Sequence, residues 1–202
     1  MPVAATTKLE SVNIMMAAIG ESPINTLQGV LPVDAQLAVD TLHEQNKTVQ
    51  NEGWSFNTEI DVTLTRDNFK KIALPTDVLR VDANIHQHPS VDPIQRGVQM
   101  YDRLNNTFEF DDDLICTIVY FRSFEEIPEP ARNYITIKAA RVFIDRLVGD
   151  AGLRGYTQQD ETRARAVLLE TDLANADHNI LRGDPSLTNV FSTYSPANAL
   201  IR

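Results

Sequence analysis

Three glutamates are the residues whose type and spacing come closest to a catalytic pattern. Glu125, Glu126 and Glu129 could supply the acid and base of a glycosidase, which needs two carboxyl groups roughly 5 to 9 Å apart across a sugar cleft. Pro128 and Pro130, however, flank Glu129. Proline and acidic residues together are typical of the first turn of a helix, where both are stabilising. We therefore predict no catalytic residue here. The three glutamates remain the candidate catalytic residues of an alternative function, the hydrolysis of a glycan.

Two histidines form a weak metal-binding pattern. In an extended segment, His86 and His88 would face the same side and could supply two ligands to a metal ion. A third ligand is not identifiable nearby, and Pro89 with Pro93 indicates a loop. We predict that the chain binds no metal ion and no cofactor.

The other charged clusters have simple structural explanations. His43 and Glu44 are expected to be a solvated pair on a helix, and His178 lies near a predicted helix C-terminus. The aspartates at 111–113 are typical of a turn between strands. The sequence contains no glycine-rich phosphate loop, HExxH pair, GxSxG elbow or spaced Cys/His set. Motifs therefore give no reason to predict an enzyme.

The single tryptophan and the single cysteine are expected to serve packing. Trp54 stands beside Phe56 at a helix-to-strand junction, where closing the end of a core is favoured over stacking on a sugar. Cys116 lies in the apolar run 114–120, which predicts a buried thiol. One cysteine excludes an intrachain disulfide, which fits folding in a reducing cytoplasm.

Composition indicates an acidic globular protein. The 202 residues are 43% hydrophobic, enough for a sizeable core, and carry a net charge of -10. This charge argues against a surface that neutralises phosphates or binds anionic lipid. We expect no secretion signal and no membrane span, because no apolar stretch reaches about 18 residues.

The spacing of apolar residues predicts four helices with strands between the second and the third. The first helix covers about 7–19, and the second begins at Asp34 as N-cap and ends near residue 52. A long third helix opens near Pro128 or Pro130 and closes at Gly149, and the last runs over about 157–181. Alternation predicts strands at 61–65, 78–81, 98–102, 107–110 and 114–121, of which 98–102 and 107–110 pair as a hairpin.

These elements predict an α+β fold, with a bundle of about four helices and a small, mostly antiparallel sheet inserted between the second and third. The predicted parts are an N-terminal helical pair (1–57), a β-rich part (58–122) and a C-terminal helical pair (123–183) that packs with 1–57 as one bundle. Residues 184–202 cannot form a core of their own. They are either a disordered end or an arm that becomes ordered on a neighbour.

Several short segments, taken in order, resemble one family: tail tubular protein A, the head-to-tail adaptor of T7-like short-tailed bacteriophages. The resemblance spans roughly residues 9–149, and the C-terminal tail departs from the family pattern. The segments that carry the resemblance are Ser11-Val12-Asn13, residues 19–29 (IGESPINTLQG), Gly53-Trp54-Ser55-Phe56-Asn57, Gly97-Val98 before Tyr101-Asp102-Arg103, and Glu126-Ile127-Pro128-Glu129 leading into Arg132, Tyr134 and Ile135.

The resemblance implies a structural protein of the virion tail. It implies a ring of twelve copies beneath the portal protein, with the nozzle (tail tubular protein B) below and tail fibres attached around the junction. Genomic DNA would pass through the centre without sequence-specific binding, and the ring would act as a gatekeeper until DNA ejection. The alternative is a tail-associated glycan hydrolase acting on host cell wall or capsule, with Trp54 as a stacking platform and possible coexistence with the structural role.

Overall fold

The chain folds into helices at both ends of the described sequence and strands in its middle. The structure, a computed structural model, describes residues 5–84, 87–147 and 158–175. The arrangement confirms the predicted α+β class, with strands between the second and third helices. Within the described residues no helix is both long and apolar enough to cross a membrane. The elements are α1 (Lys8–Ala18), α2 (Val33–Gln50), β1 (Thr58–Leu64), β2 (Val78–Ala83), β3 (Pro93–Arg96), β4 (Gln99–Asp102), β5 (Leu114–Tyr120), α3 (Glu129–Leu147) and α4 (Gln158–Asn175).

The first two helices begin in different ways. Thr7 caps α1 with a capping box, in which its hydroxyl accepts the Glu10 amide and the Glu10 carboxylate accepts the Thr7 amide. Asp34 was predicted as the N-cap of α2, but this prediction is wrong by two residues, because the N-cap is Pro32. The carbonyl of Pro32 accepts a hydrogen bond from the Gln36 amide at 2.9 Å and closes the first turn. Asp34 instead lies in that turn, where the helix dipole stabilises a negative charge.

The four helices share one hydrophobic core. α3 packs against each of the other three, and α4 packs mainly against α3 through Ala164 and Leu168. Because α3 is surrounded on several sides, its buried residues follow more than one helix face. The large buried side chains of this core include Met15, Leu42, Trp54, Ile127, Tyr134, Ile135 and Phe143.

The strands form two antiparallel sheets above a second core. β5 is the central strand of a three-stranded sheet in the order β1-β5-β2, and β3 pairs with β4. A bulge in β1 places Asp61 at a φ of 57° and interrupts its alternation. The second core is built from Leu64, Ile72, Leu74, Met100, Phe110, Leu114, Cys116 and Ile118.

The predicted hairpin between 98–102 and 107–110 is wrong. β4 pairs instead with β3, in a register that joins Arg96 to Gln99 and leaves Gly97 and Val98 as a two-residue turn. Gly97 has a φ of 65°, as the first central residue of a type II′ turn requires. Thr107 makes only an isolated bridge to Asp102. Pro89 with Pro93 indicated a loop, but Pro93 is the first residue of β3, a position where proline is tolerated.

Candidate functional site

Glu126 is engaged in a local turn rather than directed at a cleft. Its carboxylate accepts hydrogen bonds from the amide of Ser123 at 2.9 Å and from the Ser123 hydroxyl at 2.8 Å. These bonds, from the backbone first, lower the pKa of Glu126. A general acid needs a raised pKa, so this environment favours the structural explanation.

Glu129 ties the N-terminal segment to the start of α3. Its carboxylate accepts the amide of Thr6 at 2.8 Å and also binds the Thr6 hydroxyl. Arg132, one turn later, donates to the carbonyls of Thr6 at 3.0 Å and Ile127 at 2.8 Å. Its guanidinium also binds the backbone carbonyl of Glu125. Glu129 lies in the first turn of α3, as predicted, and its carboxylate and that of Glu126 have separate structural partners.

Trp54 packs inside the bundle. It is 4% exposed, and its indole nitrogen donates to the carbonyl of Val49 at 2.8 Å. The ring therefore has no free face for a sugar, and the packing prediction is confirmed. Glu125 is exposed at the edge of a small pocket that Trp54 does not line, whereas the carboxylates of Glu126 and Glu129 are in structural bonds. With Trp54 buried as well, the described site gives no support to the hydrolase alternative.

The histidines of the weak metal pattern are not brought together with further ligands in the described part of the chain. Nε2 of His88 accepts a hydrogen bond from the backbone amide of Ile115 in β5 at 2.9 Å, so this nitrogen is already engaged by the protein. His86 lies outside the described residues, as does His178. Among the residues that the structure describes, no three potential metal ligands lie together.

The other charged residues singled out in the sequence form ordinary surface contacts. His43 and Glu44 are both exposed, but Glu44 forms a two-bond ion pair with Arg146 of α3, at 2.8 and 2.9 Å. His43 instead meets the ring of Phe121 edge-on. Asp111 pairs with Lys70 at 2.7 Å in the turn before β5, where aspartates were predicted.

Cys116 is buried in the second core, as predicted. Burial, and secondarily the charge of Asp82, raises the pKa of its thiol to about 11. A thiol with such a pKa is almost entirely protonated at neutral pH and is a poor nucleophile.

A buried amide network joins the bundle to the sheet. The Gln50 side chain donates to the Arg122 carbonyl at 2.9 Å and accepts the Arg122 amide at 2.8 Å. Asn57 donates to the carbonyls of Gln50 at 2.9 Å and Tyr120 at 2.8 Å, and accepts the amide of Trp54. Sequence reasoning missed both amides as connectors. The signal was a glutamine on the apolar side of a helix and an asparagine directly before a strand.

A shallow apolar groove lies at the N-terminal end of α2. Its volume is about 520 Å³. Val30 is fully exposed and Val33 is 82% exposed. Exposed aliphatic residues gathered around a concavity are typical of contact surfaces. The residues that line the groove are Gly29, Val30, Leu31, Val33, Gln36, Leu37 and Asp40.

The outward side of α4 carries a second apolar surface, which we call the seam. It consists of Thr162, Ala166, Leu169 and Leu173, all exposed. Their spacing of four, three and four residues aligns them along one stripe of the helix, as in a coiled coil. The stripe faces away from Ala164 and Leu168, which are buried against the bundle.

Comparison with known proteins identifies the class of protein to which this chain belongs. The family described as Tail tubular protein matches residues 9–178 of the chain. Tail tubular protein A of Klebsiella phage KP34 is 30% identical over 171 residues, which cover 83% of this chain and 88% of that protein. These matches define a structural protein of the bacteriophage tail. The chain belongs to the tail tubular protein family.

Proposed function

We propose that this chain is a ring-forming adaptor of the phage tail. Copies of the chain form a ring, which the resemblance puts at twelve, between the portal protein and the nozzle, with tail fibres attached around the junction. The observation that carries the proposal is the family match over residues 9–178, supported by the relative from phage KP34. The proposal assigns the chain a geometric function and no catalytic one.

The physical properties of the chain suit a conduit for DNA. The net charge of -10 repels phosphates mildly, so DNA would pass through the ring without being held. α3 has 19 residues and extends over roughly 28 Å. With α2 and α4 packed beside it, this helix would form the wall of each subunit.

The direct test is assembly on purified portal rings. The chain is mixed with the portal rings, and the product is imaged by electron cryomicroscopy before and after addition of the nozzle protein. We expect a ring on one end of the portal and recruitment of the nozzle only when that ring is present. Portal rings that stay bare, in preparations whose activity has been verified with authentic tails, would contradict the proposal.

The proposal also predicts how the ring interacts with DNA. Double-stranded DNA of any sequence should bind the free chain very weakly, and the weak binding should show no sequence preference. Electrophoretic mobility shift over a range of salt concentrations measures this. Tight binding with a steep salt dependence would indicate a phosphate-binding surface and would count against a conduit.

A further inference from the structure

The groove and the seam lie on two different sides of the bundle. Arg146 of α3 reaches α2 through Glu44, and Arg141 of α3 reaches α4 through Glu161. Five positions separate these arginines, which places them roughly 140° apart around the axis of α3. Since the groove and the seam face outward from α2 and α4, a single copy cannot bring its own seam to its own groove.

The two surfaces have complementary shapes. The groove is a depression whose rim carries Val30 and Val33. The seam is a convex stripe, with Leu169 and Leu173 42% and 61% exposed. A helix that presents apolar residues at intervals of three and four fits an apolar groove.

One charged residue beside the groove and one beside the seam have opposite signs and could pair, although Glu170 is also exposed beside the seam. Asp40 lies in the groove, is exposed, and has Gln36 as its hydrogen-bond partner at 3.0 Å, with no ion pair in the described chain. Arg163 is exposed on the outward side of α4, close to Ala166. Copies of a chain with a net charge of -10 repel each other, so a contact between copies needs a local match of opposite charges.

We propose that the seam of one copy packs into the groove of the next copy. This inference rests on the proposed ring and names the contact that closes it. Two different surfaces of the same chain meet head to tail, so the contact repeats from copy to copy around an axis. A contact between two seams would instead give a closed dimer, which cannot extend into a ring.

Two double variants test the groove and the seam independently. The groove variant carries Val30→Asp and Val33→Asp, and the seam variant carries Leu169→Asp and Leu173→Asp. Each places carboxylates at exposed positions, so folding should be preserved, which circular dichroism and thermal unfolding verify. Phe69→Asp is the matched control, because Phe69 is 77% exposed in the β-rich part and belongs to neither surface.

The measurement is association, by analytical ultracentrifugation of the free chain at high concentration and by ring formation on portal rings. We expect the wild type and Phe69→Asp to form rings. Each double variant alone should associate at least about tenfold more weakly, as expected for the centre of an interface. Mixing the two double variants should restore one contact and give a complex of one copy of each, which extends no further.

The outcomes that contradict the inference are distinct. Rings formed by both double variants would overturn the inference and leave the proposed ring intact. Loss of association by the groove variant alone would mean that the groove takes another occupant, such as residues 176–202 or a different tail protein. Homodimers formed by the groove variant would indicate a seam-to-seam contact. If the wild type forms no ring with or without the portal, the proposed function itself fails.

Discussion

The side-chain amide of Gln50 forms two hydrogen bonds with the backbone of Arg122, at 2.8 and 2.9 Å, and thereby joins α2 to the end of the sheet. Gln50 is fully buried and Arg122 is half-buried, so the backbone groups of Arg122 have limited access to water when Gln50 is replaced. We expect Gln50→Leu to lower the free energy of unfolding by about 1–3 kcal/mol for each backbone group left unpaired.

Urea unfolding followed by the fluorescence of Trp54, the single tryptophan, measures this effect. Gln36→Leu is the control, because it makes the same replacement at an exposed position of the same helix. Equal stability of the two variants would show that the Gln50 bonds do not stabilise the junction.

Gly53 links α2 to β1 in a conformation that a side chain disfavours. Its φ is 83°, and a Cβ atom there would lie 2.8 Å from Nη2 of Arg80 and 3.3 Å from Cγ2 of Val119. Gly29 has a φ of 87° with no atom within 4 Å of the same position. Both Gly→Ala variants carry about 1–2 kcal/mol of backbone strain. We expect Gly53→Ala to unfold at the lower temperature, because the buried side chain of Val119 must give way, whereas the exposed end of Arg80 can move at little cost. Equal melting temperatures would contradict the steric argument.

Asp102 organises the turn that follows β4. Its buried carboxylate accepts the amides of Asp92 and Leu104, each at 2.9 Å, and the side-chain amide of Asn105 at 2.6 Å. Burial acts to raise the pKa of Asp102, but these hydrogen bonds outweigh it and the pKa is lowered. The bonds therefore contribute stability above the unfolded pKa of about 3.9, and this stability is lost as the pH falls through the lower folded pKa.

The difference in unfolding free energy between wild type and Asp102→Asn should accordingly be largest at neutral pH and shrink below about pH 3.9. Urea titrations from pH 2.5 to pH 7 test this. Asp112→Asn, which makes the same replacement at an exposed aspartate, is the control variant. A difference that grows as the pH falls would contradict the assigned role.

Cys116 should be inert in the folded chain. Its burial and its pKa of about 11 keep both access and thiolate content low. We expect a thiol reagent to modify it far more slowly at pH 8 than a free cysteine, and to react rapidly after addition of denaturant. Fast modification of the native chain would show that the second core opens readily.

The local elements were largely readable from the sequence. Thr7 with Glu10, the apolar spacing of the helices and the alternating strand residues act over a few positions, so their consequences can be read directly from the sequence. The pairing of β4 was predicted wrongly because local residues do not decide which segments pair. Strand pairing is a contact between segments, and the turn at Gly97 competed with an equally plausible turn after Asp102. The boundaries of the predicted parts remain predictions.

The sequence by itself determined the α+β class, the acidic charge, the buried Trp54 and Cys116, and the resemblance that led to the family. The tertiary structure decided which distant groups meet. It placed Glu129 against Thr6, Gln50 against Arg122, and the seam and the groove on different sides of α3. These relationships depend on how helices pack and on which side chains are left outside the core. Periodicity gives the faces of one helix, but only packing against the others decides which face is covered.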